Sequence, residues 1–341
     1  MKTTLYSILA AVACGMAFGQ TAYTTPVGYE TIALPSGVEY SLTSLRLHNT
    51  AIASGILTAV ASGKVTDSQV NFTTLLTAGR TYVLEIKTGP GAGIIQEIAA
   101  WGTVSGNTVN DLVTTSNLSA LGVVATNTYA LRLAPTLEEI FAGPTVLNGF
   151  TGATADNVWI PNGLGGYVKY FRSSLTTPIL NPWKNVAGGA NTPNVPIIYQ
   201  DGILIQKRAA SPTSSIVVSG EVKKGSTVSP LLAGTAIAPS YNLLGTAFPA
   251  GSTLQNCGIK DTLLRGFTGA TADNVWVPNG AGGYTKYFVS SLTTPILNPW
   301  KNVAGGANVV VDIPLTPGII IERKTSAANV TLTPPPSYST L

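Results

Sequence analysis

The sequence contains a single histidine, His48, and any Ser-His-Asp triad would have to include it. The chain has no Gly-x-Ser-x-Gly segment, the sharp turn that exposes the nucleophilic serine in α/β-hydrolases. Zinc centres usually need three or four His or Cys ligands, and the chain has one histidine and two cysteines. We therefore predict no catalytic triad and no metal ligands, and we interpret His48 as a surface or strand-end residue.

Carboxylate pairs are the next chemistry to consider, because two carboxyl groups flanking a glycosidic bond can hydrolyse it. Glu138 and Glu139 are adjacent, and in a strand their side chains would point to opposite faces. They fit better at the start of a short helical turn over residues 136–141. The other candidates lie far apart in the sequence: Asp156, Asp201, Asp273 and Asp312. We expect a protein that is not an enzyme and needs no cofactor.

Two further ligand motifs are incomplete. The glycine-rich segment 89–93 lacks the Gly-Lys-Ser/Thr ending of a phosphate-binding loop. The regular calcium loop is also absent, although Asp156-Asn157 and Asp273-Asn274 could contribute oxygen ligands to an irregular site.

The aromatic residues offer a binding chemistry, because exposed rings in secreted β-proteins can stack on sugars while nearby amides bind hydroxyl groups. The candidate ligand-binding residues are Tyr170, Trp183 and Asn185, with Tyr287, Trp300 and Asn302 as their second set. The alternative is that the rings fill a small core, and this alternative is favoured for Trp159 and Phe171.

These residues belong to a repeat. Residues 149–191 recur as residues 266–308, with four differences in 43 positions, and a repeat of this length indicates one structural unit used twice. The differences are Ile160/Val277, Leu164/Ala281, Val168/Thr285 and Arg172/Val289. A duplicated module suits a scaffold or a bivalent binder better than an enzyme with one active site.

Each copy predicts a strand, a glycine-rich hairpin loop and a return strand over residues 167–172. One side of the return strand accepts valine in place of Arg172, so we expect that side to be partly solvated and Tyr167 and Phe171 to face the core. Tyr129-Ala130-Leu131 and Tyr241-Asn242-Leu243 are candidates for a shared module start.

The first 19 residues are predicted to be a signal peptide, with basic Lys2, an apolar stretch over residues 5–17 and small residues at the cleavage site. That stretch is too short for a membrane span, so we expect none in the mature chain. Cys14 lies in a segment loosely similar to a lipobox and is an alternative lipidation site. We predict export to the extracellular space or the cell surface, with the periplasm as an alternative.

The amino-acid composition limits the kinds of molecule that this protein is expected to bind. Charged residues are 10% of the chain, against roughly 25% in ordinary soluble proteins. The formal net charge is +4, and the basic residues are scattered rather than gathered in a stripe, so we expect no nucleic-acid partner. After signal removal Cys257 would be the only cysteine, either a small buried apolar residue or the source of an intermolecular disulfide.

Helical periodicity is almost absent, and short β-branched and aromatic runs alternate with turn residues. The sequence predicts an all-β protein with two or three antiparallel β-sandwich or barrel-like modules. The predicted divisions are a signal peptide over 1–19, an N-terminal β domain over 20–126, the first module over 127–225, a linker over 226–235 and the second module over 236–341.

Several segments are distinctive: VGYETIALP from residue 27, GPGAGIIQEI from 89, APTLEEIFAG from 134, ADNVWVPNGAGGYTKYF from 272 and PGIIIERK from 317. They resemble an uncharacterised family of secreted verrucomicrobial proteins, over nearly the whole mature chain. The most specific part is the VPNG-x-GGY-x-x-YF block, which this chain carries twice. The resemblance implies a signal peptide and a β-rich architecture, and it implies no particular chemistry.

The sequence thus predicts a secreted or cell-surface, non-catalytic β-repeat protein that packs with copies of itself. The alternative is a bivalent carbohydrate-binding module for an extracellular polysaccharide, which requires Tyr170 and Trp183 to be exposed on one face of each module.

Overall fold

The computed structural model describes residues 26–37, 39–142, 145–175, 182–189, 191–192, 194–292, 299–309 and 312–340. Within them the fold is all-β, as predicted, and the strands that pair do so in antiparallel fashion. The predicted signal peptide and Cys14 lie outside the described residues.

The strands fall into four stretches of the chain. The first holds β1 (Val27–Leu34), β2 (Tyr40–Thr43) and β3 (Leu47–His48). The second holds β4 (Ala51–Ile56), β5 (Ala59–Ala61), β6 (Lys64–Thr66), helix α1 (Phe72–Leu75), β7 (Tyr82–Ile86), β8 (Ile95–Trp101), β9 (Asp111–Thr114) and β10 (Thr128–Leu133). The third holds helix α2 (Leu137–Ile140), β11 (Asn157–Pro161), β12 (Tyr167–Arg172), β13 (Trp183–Asn185), β14 (Ile203–Gln206) and β15 (Ser214–Val222). The fourth holds β16 (Thr227–Leu231), β17 (Ser240–Gly245), β18 (Asn274–Pro278), β19 (Tyr284–Val289), β20 (Trp300–Asn302), β21 (Gly318–Arg323) and β22 (Ala328–Leu332). Short 3-10 helices lie at Val104–Gly106, Ser119–Leu121, Ile259–Asp261 and Pro336–Thr340.

The duplication extends well beyond the near-identical segment. One five-stranded sheet has the order β13-β12-β11-β14-β2, and the other has the corresponding order β20-β19-β18-β21-β17. Beside the first sheet β1 pairs with β15, and beside the second β16 pairs with β22. We call residues 27–48 with 134–222 module one, and residues 227–340 module two. Residues 226–235, expected as a linker, contain β16.

Module one is split by a long insertion. Residues 51–133, which we call the insert, form a seven-stranded sheet in the order β4-β10-β7-β8-β9-β6-β5. In module two only residues 246–252 separate β17 from Thr253, whereas in module one the insert lies between β2 and the equivalent Thr136. Part of the segment expected as an N-terminal domain therefore supplies strands to module one, since β2 pairs with β14.

The expected shared start at Tyr129 and Tyr241 is wrong. Tyr129 lies in β10, which pairs with β4 and β7 inside the insert. The equivalent of Tyr241 is Tyr40. Tyr40 pairs with Gln206 of β14, and Tyr241 pairs with Glu322 at the corresponding position of β21. Tyr40 packs edge-on against Trp159 with ring centroids 6.3 Å apart, and Tyr241 packs in the same way against Trp276 at 5.6 Å.

The core side of the return strand also differs from the expectation. Val158 and Ile160 are buried in the core of module one, and Tyr170, which pairs with Val158, packs against that core. Phe171 is buried as well, but on the opposite face, where Lys169 lies over the Trp159 ring at 3.8 Å. Arg172, whose replacement by valine in module two suggested a solvated face, forms an ion pair with Glu138 instead.

Each unit has its own apolar core. That of module one includes Leu34, Leu45, Val158, Trp183, Ile197, Ile203, Ile205 and Ile216. That of module two includes Leu231, Phe248, Leu254, Cys257, Val275, Trp300, Ile319, Ile321 and Val330. That of the insert includes Leu57, Phe72, Leu84, Ile86, Leu112, Leu118, Tyr129 and Leu131.

The two modules pack against each other by equivalent surfaces. Strand β14 of module one lies beside β17 of module two, and β2 lies beside β21. At the centre, Gly318 approaches so closely that an added Cβ would lie 2.8 Å from Leu42 Cγ. The equivalent Gly202 approaches Leu243, the equivalent of Leu42, at 3.0 Å from an added Cβ to Leu243 Cβ. This reciprocal arrangement is an isologous contact within one chain.

Candidate functional site

Two of the predicted ligand-binding residues are core residues. Trp183 is 1% exposed and Trp300 is fully buried, so neither offers a ring face to a sugar. The Trp183 indole packs edge-on against Phe141 and donates a hydrogen bond from Nε1 to Glu138 Oε2 at 2.9 Å. The expectation that Trp183 is exposed beside Tyr170 is therefore wrong, because each module uses its tryptophan to fill the space beneath the sheet.

The predicted asparagines shape turns. Asn185 Oδ1 accepts a hydrogen bond from the Ala187 amide at 2.8 Å, and Asn302 Oδ1 accepts one from the Ala304 amide at the same distance. This is the local bonding by which asparagine stabilises a turn. Tyr287 is half-buried and packs against the core of module two.

Asp156 and Asp273 fix the backbone of the modules. Asp156 is 1% exposed and accepts hydrogen bonds from the amides of Leu147 at 2.9 Å and Arg208 at 2.8 Å. Asp273 is fully buried and accepts the equivalent bonds from Leu264 at 2.8 Å and Lys324 at 2.7 Å. Their carboxyl oxygens are engaged by the protein's own donors, which explains the aspartates without a calcium ion.

Glu138 and Glu139 lie in α2, the helical turn that the sequence predicts there. Glu139 forms a capping box with Thr136, accepting from the Thr136 amide at 2.8 Å. Glu138 forms an ion pair with Arg172 at 3.0 Å. The two carboxyl groups thus serve separate structural contacts.

His48 is the last residue of β3, as the strand-end interpretation predicts, but it is buried rather than at the surface. Its ring is 2% exposed and stacks on Tyr199, with ring centroids 4.1 Å apart. Burial lowers the pKa of His48 to about 3. The histidine is therefore neutral at physiological pH and has lost its ordinary titration near neutrality.

Around His48, charged side chains join the insert to module one. Arg132 of β10 binds Glu85 at 2.9 Å and Glu221 of β15 at 2.6 Å. Lys223 also forms an ion pair with Glu85. Burial alone would raise the pKa of Glu85, but the neighbouring Lys223 and other cations lower it to about 2. These groups line a cleft of about 700 Å³, and their mutual pairing makes it a polar seam between the two units.

A second cavity, of about 710 Å³, lies where the insert, module one and module two meet. Tyr170, one of the predicted ligand-binding residues, is part of its wall. Two carboxyl groups, Glu97 and Asp201, also line it. Burial, with a smaller effect of Glu97, raises the pKa of Asp201 to about 7. No sequence pattern predicts that Glu97 and Asp201 meet, because two strands of the insert and three strands of module one separate them along the chain.

Cys257 is an apolar core residue. It is 1% exposed, and burial raises the pKa of its thiol to about 11. A protonated, inaccessible thiol is a poor partner for an intermolecular disulfide.

The surface carries one feature that the sequence did not single out. Phe150 and Phe267 occupy equivalent positions in the two modules, and each is 67% exposed. Leu175 and Leu292, 40% and 41% exposed, lie next to the segments hydrogen-bonded to these loops. We call Phe150 with Leu175, and Phe267 with Leu292, the phenylalanine patches. A phenylalanine inside a Gly-Phe-Thr-Gly turn was the available signal, because such turns lie at the surface.

Comparisons with protein-family models, with curated proteins and with solved structures found no match. Among the described residues, no group of three or more His, Cys, Asp or Glu side chains is placed to hold a metal ion. The described helices are all too short or too polar to cross a membrane.

Proposed function

We propose that this is an exported, non-catalytic β-repeat protein that associates with copies of itself through its two phenylalanine patches. The observation that carries the proposal is the matched exposure of Phe150 and Phe267 on the two modules. An aromatic side chain held in water at two equivalent places has no role in the core of its own module. Exposed apolar surface of this kind commonly marks an interaction site.

The patches are held on ordered loops. In module one the Thr151 amide donates to Thr154 Oγ1 at 3.2 Å, and in module two the Thr268 amide donates to Thr271 Oγ1 at 3.3 Å. Directly after each phenylalanine-threonine pair a glycine packs onto the neighbouring turn. An added Cβ at Gly152 would lie 2.7 Å from Val186. The phenylalanines are therefore presented by a fixed backbone.

A second copy of the chain is the partner that best fits this arrangement. Each chain offers the same apolar patch twice, so a contact between two patches leaves one patch free on each chain. Such contacts build rings of molecules where the rotation between copies closes and open chains where it does not. The low content of charged residues, 10%, keeps electrostatic repulsion between copies small.

The size of the patch sets the expected strength. A stable interface buries about 800 Å² on each partner, and one phenylalanine with one half-exposed leucine covers only part of that. We expect weak, concentration-dependent association that becomes effective when many molecules are anchored at high local density.

Sedimentation velocity of residues 20–341 over a wide concentration range tests the proposal. The chain should form species larger than a monomer as concentration rises, and the Phe150→Ser/Phe267→Ser double variant should remain monomeric. Ile237→Ser, which removes a 97% exposed apolar side chain elsewhere, is the matched control and should associate like the parent. A parent chain that stays monomeric at every concentration would refute the proposal.

A further inference from the structure

We propose that the central cavity between the insert and the two modules binds a neutral, hydroxyl-rich ligand, the end of an uncharged polysaccharide chain. The cavity has a volume of about 710 Å³, within the range of small-ligand sites. Each of the three units contributes to its wall, so the site exists only in the complete chain.

The polar groups of the wall are those that recognise sugar hydroxyls. Gln96 and Glu97 come from β8 of the insert, and Gln200 and Asp201 come from the segment before β14. Gln200 Oε1 is buried and has no hydrogen-bond partner among the described residues. A buried acceptor without a partner costs about 1–3 kcal/mol, so a donor from a ligand would relieve that cost. Amides and carboxyl groups can each accept or donate to a hydroxyl.

Aromatic rings supply the complementary apolar surface. Tyr167 and Tyr170 of β12 and Tyr241 of β17 line the same cavity. The Tyr167 hydroxyl donates a hydrogen bond to the Tyr241 carbonyl oxygen, which ties the hairpin of module one to module two. The rings are half-buried or partly exposed, and their positions are fixed across the unit boundary. Their apolar faces suit the C–H faces of a sugar ring.

The charges of the wall select against anionic ligands. Among the described residues that line the cavity there is no lysine, arginine or histidine, whereas Glu97 and Asp201 both face it. Burial raises the pKa of Glu97, and burial with Glu97 nearby raises the pKa of Asp201 to about 7. The remaining titratable groups of the wall are the three tyrosines, which are neutral at physiological pH. A uronic acid or a phosphate would therefore find no cation on this wall to offset the loss of its hydration, and we expect it to be excluded.

Isothermal titration calorimetry tests the inference with four neutral tetrasaccharides: cellotetraose, maltotetraose, mannotetraose and xylotetraose. Tetragalacturonic acid and the cationic chitosan tetramer are the charged comparisons. At least one neutral tetrasaccharide should bind with one site per chain, and tetragalacturonic acid should not bind. Asp201→Ala and Gln200→Leu should each weaken binding about tenfold or more. Asn302→Ala, at a turn of module two outside the cavity, is the control and should bind like the parent.

Three results would overturn the inference: binding of no neutral tetrasaccharide, binding of the chitosan tetramer alone, or binding that the Asp201 and Gln200 variants leave unchanged. Circular dichroism of each variant separates a lost site from a lost fold. The site is independent of the proposed self-association, because Phe150→Ser/Phe267→Ser leaves the cavity wall intact and should retain sugar binding.

Discussion

Modules one and two share all but four of 43 residues over their central segment, yet they stabilise the same backbone with different polar contacts. In module one Arg172 forms an ion pair with Glu138 at 3.0 Å. At the equivalent positions, 117 residues later, module two has Val289, which is fully buried, and Gln255. One module thus uses a partly exposed ion pair where the other uses a buried apolar side chain.

A second difference concerns the buried aspartates. Both accept two backbone amide hydrogen bonds, but their third partners differ. Asp156 accepts from the Ser211 hydroxyl, whereas Asp273 binds the Arg323 guanidinium at 2.7 Å. Both modules thus keep the hydrogen bonds from backbone amides to the aspartate, while the neighbouring side chains determine whether a hydroxyl or a guanidinium binds the same carboxylate.

The largest expected losses of stability, and the largest difference between the modules, come from substituting the two buried aspartates. Asp273→Asn should destabilise the protein by about 3–5 kcal/mol, because it leaves the buried Arg323 without its carboxylate. Asp156→Asn should cost less, about 1–3 kcal/mol, because it loses hydrogen bonds while the buried cation nearby, Lys207, keeps its hydrogen bonds to the carbonyl oxygens of Leu34 and Pro212. Urea unfolding followed by tryptophan fluorescence measures both. Equal losses would show that the third partner does not matter.

The next largest change in stability comes from exchanging the residues at the equivalent positions 172 and 289. Val289→Arg should cost about 3 kcal/mol, because it places a guanidinium without a carboxylate partner at a buried site. Arg172→Val should cost less than about 1 kcal/mol, since the ion pair that it removes is partly exposed.

A double variant sharpens this comparison. Val289→Arg combined with Gln255→Glu should recover about 1–2 kcal/mol of the loss, because it transplants the ion pair of module one into module two. If the double variant is no more stable than Val289→Arg alone, the two positions are not equivalent to Arg172 and Glu138.

A smaller change in stability depends on pH and comes from His48 in module one, where the insert packs. The pKa of His48 is lowered to about 3 in the folded protein. Between about pH 6.5 and pH 3 the unfolded chain therefore binds a proton at His48 that the folded chain does not, so the contribution of His48 to stability falls as pH falls. The raised pKa of Asp201 acts in the opposite sense but is common to the parent and His48→Phe, so the contribution of His48 is the difference between these two proteins. At pH 5 this loss should be roughly 1–2 kcal/mol relative to pH 7.

Hydrogen exchange offers an internal reference for that prediction. Protection factors, which correct each amide for the intrinsic exchange rate set by its own sequence, report on local stability in the two modules. On lowering the pH to 5, β14 and β15 should lose more protection than β21 and β22. His48→Phe, which keeps a ring on Tyr199, should remove that difference. A difference that persists in His48→Phe would place its origin in another group.

The sequence was sufficient for the local elements of the repeat. The Pro-Asn-Gly turn predicts the hairpin between β11 and β12, and the structure confirms it: Asn162 Oδ1 accepts from the Gly166 amide at 3.0 Å. The adjacent Glu138 and Glu139 likewise predict the helical turn over residues 136–141, and the structure has helix α2 there. Such signals depend on neighbouring residues alone.

Sequence patterns do not predict contacts between segments that lie far apart in the chain. Tyr40 and Tyr129 both precede strand-like runs, and only pairing with β14 identifies Tyr40 as the equivalent of Tyr241. The Arg172/Val289 difference favours a solvent-exposed face when only neighbouring residues are considered, because Glu138, which pairs with Arg172, lies 34 residues away in the sequence. Of the predicted ligand-binding residues, Tyr170 lies in the wall of the central cavity, whereas Trp183 is covered by its own module.

The phenylalanine patches make the smallest difference to stability, since the side chains are exposed, and the largest difference to association. Sedimentation velocity of the single variants Phe150→Ser and Phe267→Ser, beside the parent and the double variant, measures whether the two phenylalanine patches produce the association. A chain with one patch can contact only one other chain, so each single variant should stop at dimers while the parent grows further and the double variant stays monomeric. Single variants that assemble as far as the parent would contradict the account.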